Sequence, residues 1–144
     1  MADLIALALK GDDAFNARDE AAARSVLADD ITFRAPGMPE TRGIDAAVEF
    51  DKVWWEASSD AHTTILQNVL VGDDTVIQRG HFHGTHDGVL RTPMGDIPAT
   101  GKEIEGNYVW VFRFSGDKCV DAEILFDRMQ VQEQLGIAPQ PATA

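Results

Sequence analysis

Glu103-Ile104-Glu105-Gly106-Asn107-Tyr108-Val109-Trp110-Val111-Phe112-Arg113-Phe114, then Ser115-Gly116-Asp117, then Lys118-Cys119-Val120-Asp121-Ala122-Glu123-Ile124-Leu125-Phe126, is the stretch that decides the fold. Branched and aromatic residues flank a glycine-containing turn, the pattern of a long antiparallel hairpin. A three-residue turn sets Phe114 opposite Lys118, Val111 opposite Asp121, Val109 opposite Glu123 and Asn107 opposite Leu125. Strand side chains alternate between faces. One face therefore carries Asn107, Val109, Val111, Asp121, Glu123 and Leu125, and the other Tyr108, Trp110, Phe112, Phe114, Val120, Ile124 and Phe126. The alternation sorts the residues without saying which face is buried.

Upstream, residues 62–70 and 75–83 form a second hairpin across Gly72-Asp73-Asp74. Residues 87–101, with Pro93, Gly95 and Pro98, read as a long connecting loop. The first third is helical. Ile5, Ala8, Leu9 and Phe15 recur at helical spacing with Asp12 and Asp13 on the wet side, and Asp19 caps a second helix over 20–27. A strand fits 31–34 and stops at Ala35-Pro36-Gly37-Met38-Pro39. The helix over 44–57 has two apolar stripes, Ile44, Ala47, Val48 and Trp55 on one and Phe50, Val53, Trp54 and Ala57 on the other. A last helix over 128–135 ends at Gly136, before a loose tail over 139–144. Helices gathered before a meander of strands imply an α+β fold, a bent sheet over a helical layer, as a single domain spanning 1–138.

The composition agrees with one globular domain: 144 residues, 44% hydrophobic and 25% charged. Twelve basic against 24 acidic residues give a net charge of −12, which repels nucleic acid and anionic membrane surfaces. No apolar run approaches the roughly 20 residues that cross a bilayer, and Met1-Ala2-Asp3-Leu4 lacks the basic flank of a secretory signal, so the expected location is cytoplasmic. The lone Cys119 forms no internal disulfide and reads as a small strand residue rather than a nucleophile.

Asp121 and Glu123 stand two residues apart among valines and a leucine. Turned inward, desolvation and a like charge roughly 7 Å away raise their pKa values and make a general base; turned outward, they are ordinary wet charges. His81 and His83 share one strand face and can hydrogen-bond a substrate or a neighbour, or share a metal if a third ligand converges. No third ligand is assured, so no metal is expected. Trp54 and Trp55 suit core, subunit interface or ligand wall. Glycine-rich phosphate loops and a Gly-x-Ser-x-Gly elbow are absent, which removes nucleotide cofactors and serine hydrolysis. An acid, hydrogen-bond donors and an apolar pocket remain, which suit proton transfer on a carbon acid without a cofactor.

Gly84-Thr85-His86-Asp87-Gly88, Ile97-Pro98-Ala99-Thr100-Gly101-Lys102, Val111-Phe112-Arg113-Phe114, Gly116-Asp117-Lys118-Cys119-Val120-Asp121 and Gln134-Leu135-Gly136 resemble the SnoaL-like polyketide cyclases, of the nuclear transport factor two-like superfamily. The resemblance covers residues 84–136 and implies a cone-shaped curved antiparallel sheet wrapped around the N-terminal helices, enclosing an apolar pocket. It implies that the Asp121 face looks into that pocket and that Asp121 is the base of an intramolecular aldol ring closure. Asn107 stands where those cyclases usually have histidine, and Glu123 where they often have tryptophan.

The expected activity is thus a cofactor-free cyclase acting on a hydrophobic, multi-carbonyl, polyketide-like ligand. Asp121 and Asn107 are the expected catalytic pair. His81, His83, Glu123, Trp54, Trp55, Phe33, Val109, Val111 and Phe15 are the expected binding residues. Hydroxylation, hydration or isomerisation in the same pocket, or a non-catalytic binding or assembly module, are the alternatives. The aromatic face of the last hairpin needs a cover of helices or a second subunit, and self-association as a homodimer or tetramer is expected.

Overall fold

A computed structural model describes residues 2–137. The expected tail over 139–144 lies outside the described residues. Asp3 caps α1 (Leu4–Ala17) by accepting from Ala6 N at 3.1 Å, and Asp19 caps α2 (Glu20–Ser25) by accepting from Ala22 N at 3.0 Å. The helix expected over 20–27 stops at Ser25, because Leu27 already pairs with Cys119 as the start of β1 (Leu27–Arg34). The two-residue β2 (Thr41–Arg42) was not apparent from the sequence pattern. α3 (Ile44–Ala57) follows, then β3 (His62–Val71) and β4 (Thr75–Thr85).

The segment expected as plain loop contains a hairpin, β5 (Leu90–Thr92) with β6 (Gly95–Ile97). Each strand is three residues long, too short for alternation to register. Its base is tied by two backbone bonds, His86 N to Lys102 O and Gly101 N to His86 O, both 2.8 Å. β7 (Glu103–Ser115), β8 (Lys118–Phe126) and α4 (Arg128–Leu135) complete the chain.

Six strands form one sheet in the order β2-β1-β8-β7-β4-β3, antiparallel throughout except for the parallel pair β1 and β8. The last hairpin turns on two residues and is bulged between Arg113 and Phe114, so beyond the bulge its register is displaced by two residues from the expected one. Val111 faces Glu123, Val109 faces Leu125 and Arg113 faces Asp121, with a bulge before Phe114 and Cys119. The two expected faces survive beyond the bulge, where facing residues share parity; on the turn side Phe114 faces Cys119, and odd-numbered Cys119 packs inward. The even-numbered face of β7, with Ile124 and Phe126 of β8, lies inward against α1 and α3. Ile31, Phe33, Val76, Phe114 and Ala122 pack there with Ala8 and Phe50.

The aromatic face of the last hairpin is therefore covered by this chain's own helices. The opposite face of the sheet carries Leu66, Val69, Val71 and Leu125, each between 41% and 51% exposed. No helix among the described residues is long and apolar enough to cross a membrane.

Candidate active site

Between the sheet and α1 and α3 lies a cavity of about 160 Å³. All seven phenylalanines, the one tyrosine and two of the three tryptophans line it, and no lysine, arginine or histidine among the described residues does. The rings interlock: Phe33 lies 5.2 Å from Phe50 and 6.1 Å from Trp110, and Trp54 lies 5.2 Å from Phe82. Of the residues expected to hold a ligand, Phe15, Phe33 and Trp54 line this space. Trp55 does not; its indole N–H donates to Phe15 O at 3.0 Å and its ring packs on Phe15 at 5.9 Å.

The expected catalytic pair is not in the cavity. Asp121 is on the outer face, held by two bonds from the Arg34 guanidinium at 2.6 and 3.2 Å. Glu123 lies 3.9 Å from the same guanidinium. Val109 and Val111 share that outer face. Asn107 touches the cavity lining, but its amide oxygen is 2.8 Å from His81 Nδ1 on the outer side. His81 and His83 alternate on that side too, with Glu105 and Glu103 3.9 and 3.6 Å away. The correction has one physical cause. The even face carries the larger apolar surface, four aromatic rings on β7 alone, and removing it from water outweighs burying the valines beside two carboxylates.

Two other carboxyls face the cavity. Asp51, on α3, lines it and has no hydrogen-bond partner among the described residues, and desolvation pushes its pKa up to about 7. Asp12, expected on the wet side of α1, lines the opposite wall. Burial raises its pKa, against a hydrogen bond from Thr63 Oγ1 that lowers it. Asn16 fixes Thr63 by accepting from its backbone N–H at 2.8 Å and donating to its carbonyl at 3.0 Å.

The Thr63 hydroxyl also lies 3.0 Å from Asn16 Oδ1, so a single proton faces two acceptors. Tyr108 stands beside this group, its phenol pushed upward first by burial and then by Asp12. It is therefore a proton donor at neutral pH. Its ring lies over Gly80, where a Cβ would sit 2.2 Å from the phenol oxygen.

Sequence reasoning missed both acids, yet a signal was present. Asp51 is three and four residues from Ala47, Val48, Trp54 and Trp55, and Asp12 likewise from Ala8, Leu9 and Phe15. An acid on the apolar face of a helix is a buried carboxyl. Cys119, as expected, is structural: burial pushes its thiol up to about 12. Among the described residues no three histidine, cysteine or acidic side chains converge to hold a metal ion.

A curved sheet closed by helices around an apolar chamber defines the cone-shaped α+β class of the nuclear transport factor two-like proteins. Solved structures that share the fold include the following three. A candidate SnoaL-like polyketide cyclase from Jannaschia sp. CCS1 is 17% identical with a TM-score of 0.81, covering 94% of this chain and 92% of that one. AclR, a candidate hydroxylase from Streptomyces galilaeus, is 22% identical with a TM-score of 0.80, covering 99% and 86%. IdmH, a candidate polyketide cyclase from Streptomyces antibioticus, is 23% identical with a TM-score of 0.78, covering 94% and 99%. The family model of the SnoaL-like polyketide cyclases matches residues 6–135, and the chain belongs to that family. No curated protein matches it significantly.

Proposed function

We infer that this chain is a cyclase-type enzyme of carbon-acid chemistry that takes a hydrophobic, multi-carbonyl ligand into its cavity and uses Asp51, not Asp121, as the base. The observation that carries this reading is a carboxyl without a hydrogen-bond partner in an aromatic chamber, with its pKa raised to about 7. A base of that strength is matched to neutral pH, where it is partly ionised and still able to accept a proton. Asp51 removes a proton from a carbon flanked by carbonyls. The electron pair moves onto the carbonyl oxygen, whose developing charge accepts a hydrogen bond from the Tyr108 phenol. The nucleophilic carbon then attacks a second carbonyl of the same molecule, one C–C bond forms as that carbonyl's π bond opens, and the new alkoxide takes up the proton that Asp51 removed, which restores the base. No cofactor enters this sequence. The protein works in the cytoplasm, and copies associate through the exposed apolar side of the sheet as a homodimer or tetramer.

The test is turnover of aromatic polyketones, followed by mass spectrometry of cyclised product. Asp51→Asn should lose at least about 10²-fold in rate, the usual contribution of a positioned base, while Asp121→Asn keeps nearly all of it. Full activity in Asp51→Asn would remove Asp51 from the mechanism.

A further inference from the structure

The chamber segregates charge as sharply as it segregates rings. Apart from its two inward-facing acids, the charged residues that border it are Glu105 and Asp127. Glu105 is turned towards His81, and Asp127 accepts from Gln130 N at 3.1 Å as the cap of α4. None of the twelve lysines and arginines borders the chamber. Asp12 accepts a hydrogen bond from Thr63 Oγ1, whereas Asp51 has no hydrogen-bond partner among the described residues and is the inward carboxyl whose charge nothing in the protein answers. Ring faces are themselves electron-rich and attract cations, most strongly where water is excluded. An anionic ligand would meet no counter-charge here and would face Asp51 across a medium of low dielectric. A cation would meet both ring faces and an unpartnered carboxylate.

We propose that the natural ligand of this cavity carries a positive charge, an amine protonated at neutral pH on its hydrophobic, carbonyl-bearing skeleton. The proposal rests on the cavity being the ligand site and names the chemical class of that ligand. The unpaired carboxylate then gains the partner that the protein withholds. An ammonium takes one oxygen of Asp51 and leaves the other for a carbon-bound proton near the nitrogen, whereas the Arg34 guanidinium occupies both oxygens of Asp121.

Three probes of matched shape separate the possibilities: benzyltrimethylammonium, its neutral isostere neopentylbenzene, and the anion benzylsulfonate. Their dissociation constants are to be measured at pH 8 by quenching of tryptophan fluorescence and by calorimetry. The cation should bind at least 10-fold more tightly than the neutral isostere, and the anion should not bind. Asp51→Asn, checked for folding by circular dichroism, should erase the preference while retaining the neutral probe, and Asp121→Asn should keep it. Equal binding of cation and neutral isostere would overturn the proposal and leave the apolar cavity standing as a ligand site. Failure of all three to bind would count against the ligand site itself.

Discussion

Asp51 ties stability to chemistry within one side chain. Its native pKa of about 7 lies above the unfolded value, so the folded state binds more protons between about pH 4 and pH 7, and stability falls as the pH rises through that window. Asp51→Asn removes the penalty. The variant should match the parent below about pH 4, gain stability steadily to pH 7 and level off above it, with an upper bound on the order of 4 kcal/mol. Urea denaturation at a series of pH values checks this, and a constant difference across the series would contradict it. At the same scale, the Asp121–Arg34 pair argues against the carboxylate singled out by its strand neighbours as a base: a guanidinium occupies both of its oxygens. What the strand pattern supplied was the company Asp121 keeps; the direction it faces depends on the relative burial of two faces, which no single residue fixes.

Among the elements, α3 positions the most. Its C-terminal end abuts the loop after β4, where Gly88 N donates to Ala57 O at 3.0 Å and a Cβ on Gly88 would lie 2.0 Å from the Glu56 carbonyl oxygen. Gly88→Ala should therefore force backbone apart and cost about 3 kcal/mol, at the upper end for an overpacked site, read as a lowered urea midpoint with unchanged slope. A second tie is Asp60, which accepts from Thr85 N at 2.7 Å, Ser58 Oγ at 2.9 Å and Thr85 Oγ1 at 2.9 Å. These bonds, the Thr85 N–H foremost, hold its carboxyl down at about 2. A depressed native pKa contributes stability above about pH 4 that is lost as the pH falls towards 2. Asp60→Ala should lower the melting temperature at pH 6, and the gap to the parent should close by pH 2. The long elements were legible because each repeats its period several times. The ends of α2 and the pair β5 and β6 were not, because a start of pairing and a three-residue strand are settled by a distant partner.

Across the whole molecule, the sheet has one side buried under helices and one side open. Leu125, 51% exposed, stands opposite Val109 near the middle of the open side, so Leu125→Lys should place a charge there and shift sedimentation to the monomer at micromolar protein. A parent protein that already sediments as a monomer would remove this surface from any assembly. The sequence by itself determined the order of the long elements, the sorting of the last hairpin into two sets away from its turn, and the family, since all three are written in local periods and contiguous motifs. Only the tertiary structure decided which set looks inward and which acids share the chamber. Burial is a competition between whole faces, and Asp12 and Asp51 meet the rings of β4, β7 and β8 only after helices far apart in the chain have closed the cone.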